Sequence, residues 1–187
     1  CLPCVPGKYG NSSGLSLCTA CDANTYTDDT NQQECKTCDA GESTSGLKGK
    51  TTCTACSAGQ YMVGNSGSCL HCPAGWFRSA DDTNSSRCTE CDAGLHQNHT
   101  GQALCLPCVP GKYGNSSGLS LCIECDANTY TDNTNQQECK TCDAGQSTSG
   151  LKGKTTCTAC LAGQYMVGNS GSCLHCPLGC LLYTSDA

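Results

Sequence analysis

The sequence predicts a small disulfide-rich fold, an elongated linear array of short β-loop modules with almost no helix. Cysteine contributes 23 of 187 residues, a level typical of disulfide scaffolds. Pairs of the form Cys-x-x-Cys recur about every 17 residues, and no window shows helical periodicity. Because a unit this short cannot bury a core of its own, it must be cross-linked and must stack on its neighbours. We therefore expect each module to contact only its neighbours along the chain.

The cysteine pairs define the modules. The second cysteine of one pair opens a module, and the first cysteine of the next pair closes it. The pairs begin at Cys1, Cys18, Cys35, Cys53, Cys69, Cys88, Cys105, Cys122, Cys139, Cys157 and Cys173.

A longer period lies on top of the short one. Residues 1–75 and 105–179 align without a gap, so residues 1–104 form one super-repeat and residues 105–179 begin a second. The two copies differ only at Thr19/Ile123, Ala20/Glu124, Asp29/Asn133, Glu42/Gln146, Ser57/Leu161 and Ala74/Leu178. Such uniformity is typical of a long structural product, whereas an enzyme needs one unique pocket.

Each module carries two predicted bends. Glycine or asparagine, the residues that most readily adopt positive φ, stands three residues after every opening cysteine and four residues before every closing cysteine. Between the bends, five residues after the opening cysteine, most modules have an aromatic residue that can lie over a disulfide. These aromatic residues are Tyr9, Tyr26, Tyr61, Phe77, Tyr113, Tyr130 and Tyr165, and Ser43, His96 and Ser147 occupy the remaining slots.

The phrase Cys-x-x-Cys-x-Pro-Gly-x-Tyr, at Cys1–Tyr9 and Cys105–Tyr113, resembles the cysteine-rich repeats of ephrin-receptor and TNF-receptor ectodomains. The array is also similar to Cys-x-x-Cys-rich surface proteins of protists. The resemblance covers residues 1–179 and departs from TNF receptors, which alternate this loop with a two-disulfide module. It implies fold and not function.

The resemblance also implies that each loop of about 17 residues is closed by one disulfide. The implied pairs are Cys4–Cys18, Cys21–Cys35, Cys38–Cys53, Cys56–Cys69, Cys72–Cys88, Cys91–Cys105, Cys108–Cys122, Cys125–Cys139, Cys142–Cys157 and Cys160–Cys173. Connectivities that skip between modules are the alternative. Under the implied scheme Cys1 and Cys176 meet continuing chain or another copy.

Residues 180–187 break the pattern, because Cys180 falls where no other module has a cysteine. This run resembles a translated sequencing adapter, so we expect a non-native read-through tail; a divergent terminal cap is the alternative. The chain also opens on a cysteine in mid-pattern, which is typical of a fragment of a longer protein.

Several function classes are disfavoured. Zinc ribbons also use paired Cys-x-x-Cys motifs, but odd and even pairs do not alternate here, so we expect no metal and no cofactor. Thiol redox catalysis needs a helix start in a βαβ setting, which is missing. We find no nucleophile with its base, so no catalytic residue is assigned and we expect no enzyme. The net charge of −6 and the absence of a long apolar run argue against nucleic acid and a membrane span.

Two weaker patterns involve histidine and aspartate. His71 and His175 lie inside cysteine pairs and are expected at exposed tips, and no partner repeats with His96 or His99. Clusters around residues 28–31, 81–84 and 132–135 offer oxygens to calcium, although such residues more often make turns.

Four sequons predict N-linked glycans at Asn11, Asn84, Asn98 and Asn115. Together with the disulfides, they predict a secreted, extracellular or cell-surface protein. We expect a structural glycoprotein that forms or decorates a surface filament, such as a flagellar hair, of a microbial eukaryote. Its partners would be copies of itself or neighbouring modules of the same longer protein. The alternative is a receptor ectodomain or a protist surface antigen with a binding role.

Overall fold

The computed structural model describes residues 2–10, 17–63, 67–82, 86–166 and 171–177. The chain divides into two compact units. The first comprises Cys1–Glu90 and Gln97–Cys105, and the second comprises Cys91–His96 and Leu106–Ala187. Throughout the described ranges all strands are two residues long and no helix is present, which confirms the prediction of an almost helix-free fold.

The strands fall at the same two places in every module. They are β1 Lys8–Tyr9, β2 Thr19–Ala20, β3 Thr25–Tyr26, β4 Lys36–Thr37, β5 Glu42–Ser43, β6 Thr54–Ala55, β7 Gln60–Tyr61, β8 Leu70–His71, β9 Trp76–Phe77, β10 Thr89–Glu90, β11 Leu95–His96, β12 Leu106–Pro107, β13 Lys112–Tyr113, β14 Ile123–Glu124, β15 Thr129–Tyr130, β16 Lys140–Thr141, β17 Gln146–Ser147, β18 Thr158–Ala159, β19 Gln164–Tyr165 and β20 Leu174–His175.

Each odd-numbered strand pairs antiparallel with the strand that follows it. In the first hairpin Lys8 lies opposite Ala20 and Tyr9 lies opposite Thr19. The second strand of every hairpin is the pair of residues between two cysteines. A Cys-x-x-Cys pair therefore serves two modules: its first cysteine closes one module, its middle residues complete that module's hairpin, and its second cysteine opens the next.

The opening bend is a β-turn. In the first module the Lys8 N–H donates to the Val5 carbonyl at 3.1 Å, and Gly7 has φ 84°. Proline followed by a residue with positive φ is the signature of a type II turn, so Pro6 and Gly7 suit their positions. Every described Gly or Asn at the predicted bend positions has positive φ. The prediction of two bends in each module is confirmed for these residues.

Disulfides close the loops. They join Cys4–Cys18, Cys21–Cys35, Cys38–Cys53, Cys56–Cys69, Cys72–Cys88, Cys108–Cys122, Cys125–Cys139, Cys142–Cys157 and Cys160–Cys173. Cys91 and Cys105 are also disulfide-bonded. The nine named disulfides follow the loop-by-loop pairs that the resemblance implied, and each spans 13 to 16 residues of sequence.

Among the described residues, the buried side chains are cysteines, Met62 and polar groups such as Thr27, Ser43 and Arg78. The opening cysteines Cys21, Cys72, Cys108 and Cys125 have no exposed surface. Besides the opening-bend residue, which is buried in most modules, the sixth residue after the opening cysteine is also buried in most modules, and we call it the core position. Its occupants are Gly10, Thr27, Thr44, Met62, Arg78, Gln97, Gly114, Thr131, Thr148 and Met166, all buried except the first and last, which are half-buried.

The predicted aromatic residues are half-buried rather than central. All seven, from Tyr9 to Tyr165, have intermediate exposure. The reason is register: the aromatic residue lies on the first strand of the hairpin, and the next residue turns inward to the core position.

The expectation that modules contact only their immediate neighbours is incomplete. Gly7 of the first module approaches the carbonyl of Gly49, which belongs to the third module, so closely that a Cβ would overlap it. Gly111 meets the Gly153 carbonyl in the same way. Glycine is therefore required at positions 7 and 111 for two reasons. The backbone has a positive φ there, and it lies against the module two places further along the chain.

Candidate functional site

The junction between successive modules is the most regular feature of the described chain. Three backbone hydrogen bonds join the first module to the second. They run from Gly7 N to Thr27 O (2.9 Å), from Gly10 N to Gln32 O (3.0 Å) and from Asn31 N to Cys4 O (2.8 Å). The bend residues Gly7 and Asn31 and the core-position residues Gly10 and Thr27 therefore all take part in the hydrogen bonds between the two modules.

The same three bonds recur at other junctions. Between the fifth and sixth modules they are Gly75 N to Gln97 O (2.7 Å), Arg78 N to Gln102 O (3.3 Å) and Gly101 N to Cys72 O (2.8 Å). Between the seventh and eighth they are Gly111 N to Thr131 O (2.9 Å), Gly114 N to Gln136 O (2.9 Å) and Asn135 N to Cys108 O (2.9 Å). Since these are backbone groups, the junction depends on chain register more than on side-chain identity.

Threonine at the core position strengthens two equivalent junctions. Thr27 and Thr131 are completely buried. The Gly7 N–H lies 2.7 Å from Thr27 Oγ1, and the Gly111 N–H lies 2.7 Å from Thr131 Oγ1. Each N–H is thus shared between the carbonyl and the hydroxyl of one threonine.

Arg78 occupies the core position of the fifth module, and its side chain is buried. Its guanidinium donates to the carbonyls of Ser57 at 2.8 Å and Asp82 at 3.0 Å, and also to those of Cys56 and Gln60. This residue was not predicted from the sequence. The available signal was a charged side chain at a position that elsewhere carries Gly, Thr, Met or Gln.

The sequons divide between described and undescribed parts of the chain. Asn98 and Asn115 are exposed, as an acceptor of a glycan must be. Asn11 and Asn84 lie outside the described residues, as do Cys1 and residues 180–187. Glycosylation at the four positions stays a prediction.

Lysines neutralise several aspartates on the surface. Lys36 Nζ lies 2.7 Å from Asp28 Oδ1, and Lys140 Nζ lies 2.8 Å from Asp132 Oδ1. The hydrogen bond from the ammonium group lowers the pKa of the Asp28 carboxyl, and that of Asp132 is lowered in the same way. One carboxylate in each of two predicted calcium clusters, those around residues 28–31 and 132–135, is therefore engaged by a cation of the chain itself.

Two positions carry sulfur or imidazole chemistry outside the regular pattern. Cys176 is a free, half-buried cysteine, whereas its counterpart in the first super-repeat, Cys72, is bonded to Cys88. His96 Nδ1 lies 3.2 Å from Cys122 Sγ. His71 and His175 are exposed, as predicted, but on the second strands of their hairpins.

Two equivalent surface grooves are uncharged. One, of about 270 Å³, is lined by Ser45, Thr54, Ala55, Cys56, Ser57, Gln60, Ser68 and Cys69. The other, of about 380 Å³, is lined by the corresponding residues of the second super-repeat except Cys160, with Leu161 in place of Ser57. Neither groove contains an acid and a base that could work as a pair.

Two segments of the chain, residues 7–48 and 111–152, match the family described as tyrosine-protein kinase ephrin type A/B receptor-like. These two segments are similar to ephrin-receptor-like repeats, within a chain that is a tandem array of cysteine-rich modules. The matched segments occupy the same place in the two super-repeats, beginning at Gly7 and Gly111. No curated protein matches the chain.

The ephrin-receptor-like match and the many disulfides together indicate an extracellular or cell-surface location. Across the described residues, no helix has the length and apolar character needed to span a bilayer.

Proposed function

We propose that this chain belongs to an extracellular structural glycoprotein that forms or decorates a surface filament, comparable to a flagellar hair, of a microbial eukaryote. One observation carries the proposal: the same three-bond junction recurs along both super-repeats. A junction made from backbone groups and cystines can be added repeatedly with no change in its chemistry. Its role is mechanical, and it needs no catalytic group and no metal.

The surface chemistry fits this role. The exposed sequons Asn98 and Asn115 would carry N-linked glycans, which cover modules that have little apolar core. Cys176 would pair with continuing chain or with another copy, as Cys72 pairs with Cys88. The partners are therefore copies of the chain or further modules of the same protein.

Immunogold electron microscopy of the source cells, with antibodies raised against the recombinant chain, tests the proposal. We expect gold particles along extracellular filaments. Glycopeptide mass spectrometry of the native protein should find glycans at Asn11, Asn84, Asn98 and Asn115. Pre-immune serum and peptides that contain Asn65, which is not in a sequon, are the controls.

The second candidate is a receptor ectodomain or a protist surface antigen, and the ephrin-receptor-like match favours it. Gold confined to the plasma membrane, unmodified sequons and a monodisperse monomer in sedimentation would contradict the filament and support this candidate.

A further inference from the structure

His96 lies beside a disulfide. It occupies the slot that holds an aromatic residue in most modules, and its Nδ1 is 3.1 Å from the carbonyl oxygen of Leu106, its cross-strand partner. The same nitrogen is 3.2 Å from Sγ of Cys122, which is bonded to Cys108. Within the described ranges, His96, Cys108 and Cys122 are the one group of three or more His, Cys, Asp or Glu residues whose ligand atoms all lie within 4.8 Å of one another.

We propose that His96, Cys108 and Cys122 form a binding site for a thiophilic divalent metal, with Zn²⁺ as the representative ion, when the Cys108–Cys122 disulfide is reduced. In the oxidised protein the two sulfurs are bonded to each other and are not thiolates, and the thiolate is the form that binds metal. The proposal is independent of the filament function, because it concerns one module in its reduced form.

The geometry is close to that of a tetrahedral site. With Zn–S near 2.3 Å and Zn–N near 2.0 Å, tetrahedral ligands stand about 3.5 Å apart for N···S and about 3.8 Å apart for S···S. The Nδ1–Sγ distance of 3.2 Å is already near the first value. The Cα atoms of Cys108 and Cys122 are 5.6 Å apart, so rotation of the two side chains can separate the sulfurs.

The chemistry requires an external thiol. Its thiolate attacks Sγ of half-buried Cys122, the S–S bond breaks, and Cys108 leaves as a thiolate. A second equivalent of thiol attacks the mixed disulfide, releases the Cys122 thiolate beside His96 and departs as the oxidised small disulfide. Zn²⁺ then takes the two thiolates and Nδ1 of the neutral imidazole, which gives up its hydrogen bond to the Leu106 carbonyl and carries its proton on Nε2, with water as the fourth ligand.

The chain contains a matched control. Cys4 and Cys18 are the counterparts of Cys108 and Cys122 in the first super-repeat, and they close an equivalent loop. Across the described residues, no His, Cys, Asp or Glu completes a three-ligand group with that pair. Metal binding at one pair and not at the other therefore isolates the contribution of His96.

The test uses the full oxidised chain, exposed to a graded series of glutathione under anaerobic conditions and then to Co²⁺ as a spectroscopic substitute for Zn²⁺. Differential alkylation with mass spectrometry reports which cysteines are free and which are protected by metal. We expect no metal binding before reduction. After reduction, we expect one equivalent of Co²⁺ with the absorption of a tetrahedral thiolate complex, and protection of Cys108 and Cys122 but not of Cys4 and Cys18.

The His96→Tyr variant places in this slot the residue that most other modules carry, so the fold should persist. We expect its metal affinity to fall by about tenfold or more, because one ligand is lost. Equal affinity in this variant, equal protection of Cys4 and Cys18, or loss of the hairpin signals before Cys108–Cys122 is reduced would each overturn the proposal.

Discussion

The junction at Thr27 and the junction at Arg78 have the same backbone hydrogen bond and differ in the hydrogen bonds of their side chains. In both, the residue at the opening bend donates its N–H to the carbonyl of the core position: Gly7 to Thr27 at 2.9 Å and Gly59 to Arg78 at 2.8 Å. The Thr27 hydroxyl then accepts a second bond from the same N–H. The Arg78 side chain instead donates to carbonyls of the preceding module, including that of Ser57.

The difference shows what the core position must supply. A backbone bond sets the spacing of the modules, and the side chain pairs whatever buried polar groups remain, whether donors or acceptors. The threonine hydroxyl accepts a hydrogen bond from one donor within a small volume, whereas the arginine guanidinium donates to several acceptors at once. The array therefore tolerates varied residues at this position as long as the register is kept.

The largest expected effect comes from removing the disulfide of the module that contains Thr27 or of the module that contains Arg78. Replacement of both Cys21 and Cys35 by Ser, or of both Cys72 and Cys88, removes a loop closure worth about 3 kcal/mol in the chain-entropy model. We expect equal losses of local stability, measured by hydrogen exchange of the hairpin amides. Unequal losses would show that the side chain at the core position, and not the cystine, dominates its module.

Arg78→Met should cost about 2 to 3 kcal/mol locally, because buried carbonyls lose their donors while the apolar stem is kept. Arg87→Met is the matched control, since Arg87 is exposed. Hydrogen exchange at Gly59 and Cys72 reports the result. An effect no larger than that of the control would contradict the role assigned to the guanidinium.

Thr27→Val and Thr131→Val should each cost about 1 kcal/mol, less than the arginine variant, because the Gly7 and Gly111 N–H groups keep their carbonyl partners. Denaturant unfolding of the two single variants should give the same shift, since the junctions are equivalent. Thr51→Val, at an exposed position, is the control. A difference between Thr27 and Thr131 would instead reveal an influence of the nearby residues that differ between the copies, which are Ile123, Glu124 and Asn133 in the second super-repeat.

The smallest effect concerns the surface ion pairs. The lowered pKa of Asp28 means that its contribution to stability is present above the pKa of the unfolded chain and is lost as the pH falls through the lower folded value. Asp28→Asn and Asp132→Asn should therefore weaken the chain slightly at neutral pH and not in strong acid, with added salt reducing the difference. An undiminished effect in acid would exclude the ion pair as its cause.

Much of the fold was predictable because it depends on local chemistry. Gly7 and Asn24 mark bends by their tolerance of positive φ, and the cysteine spacing marks the loops. The loop-by-loop disulfides came from the resemblance, because spacing alone permits other connectivities. The proposed filament role, in contrast, depends on assembly between chains, which one chain does not encode in a local pattern.

Three features were not predictable. The core position shows no common residue type, so it gives no pattern in the sequence. The contact of Gly7 with Gly49 depends on how three modules stack. A further bend at Ser45, with φ 55°, appears in the third module, and Ser149 repeats it with φ 56° in the second super-repeat. Serine rarely adopts a positive φ, and the glycine that follows each of these serines was not enough to predict the bend from the sequence.

The short span of the cystines has a consequence for synthesis. Each named disulfide joins cysteines 13 to 16 residues apart. At a translation rate of roughly 5 to 20 residues per second, the two cysteines of one loop emerge within about three seconds of each other. The next cysteine follows each closing cysteine by three residues, so an oxidase that closes the loops in order of synthesis would meet only a few free thiols at a time, and the number of cysteines in the finished chain would not by itself multiply the risk of mispairing.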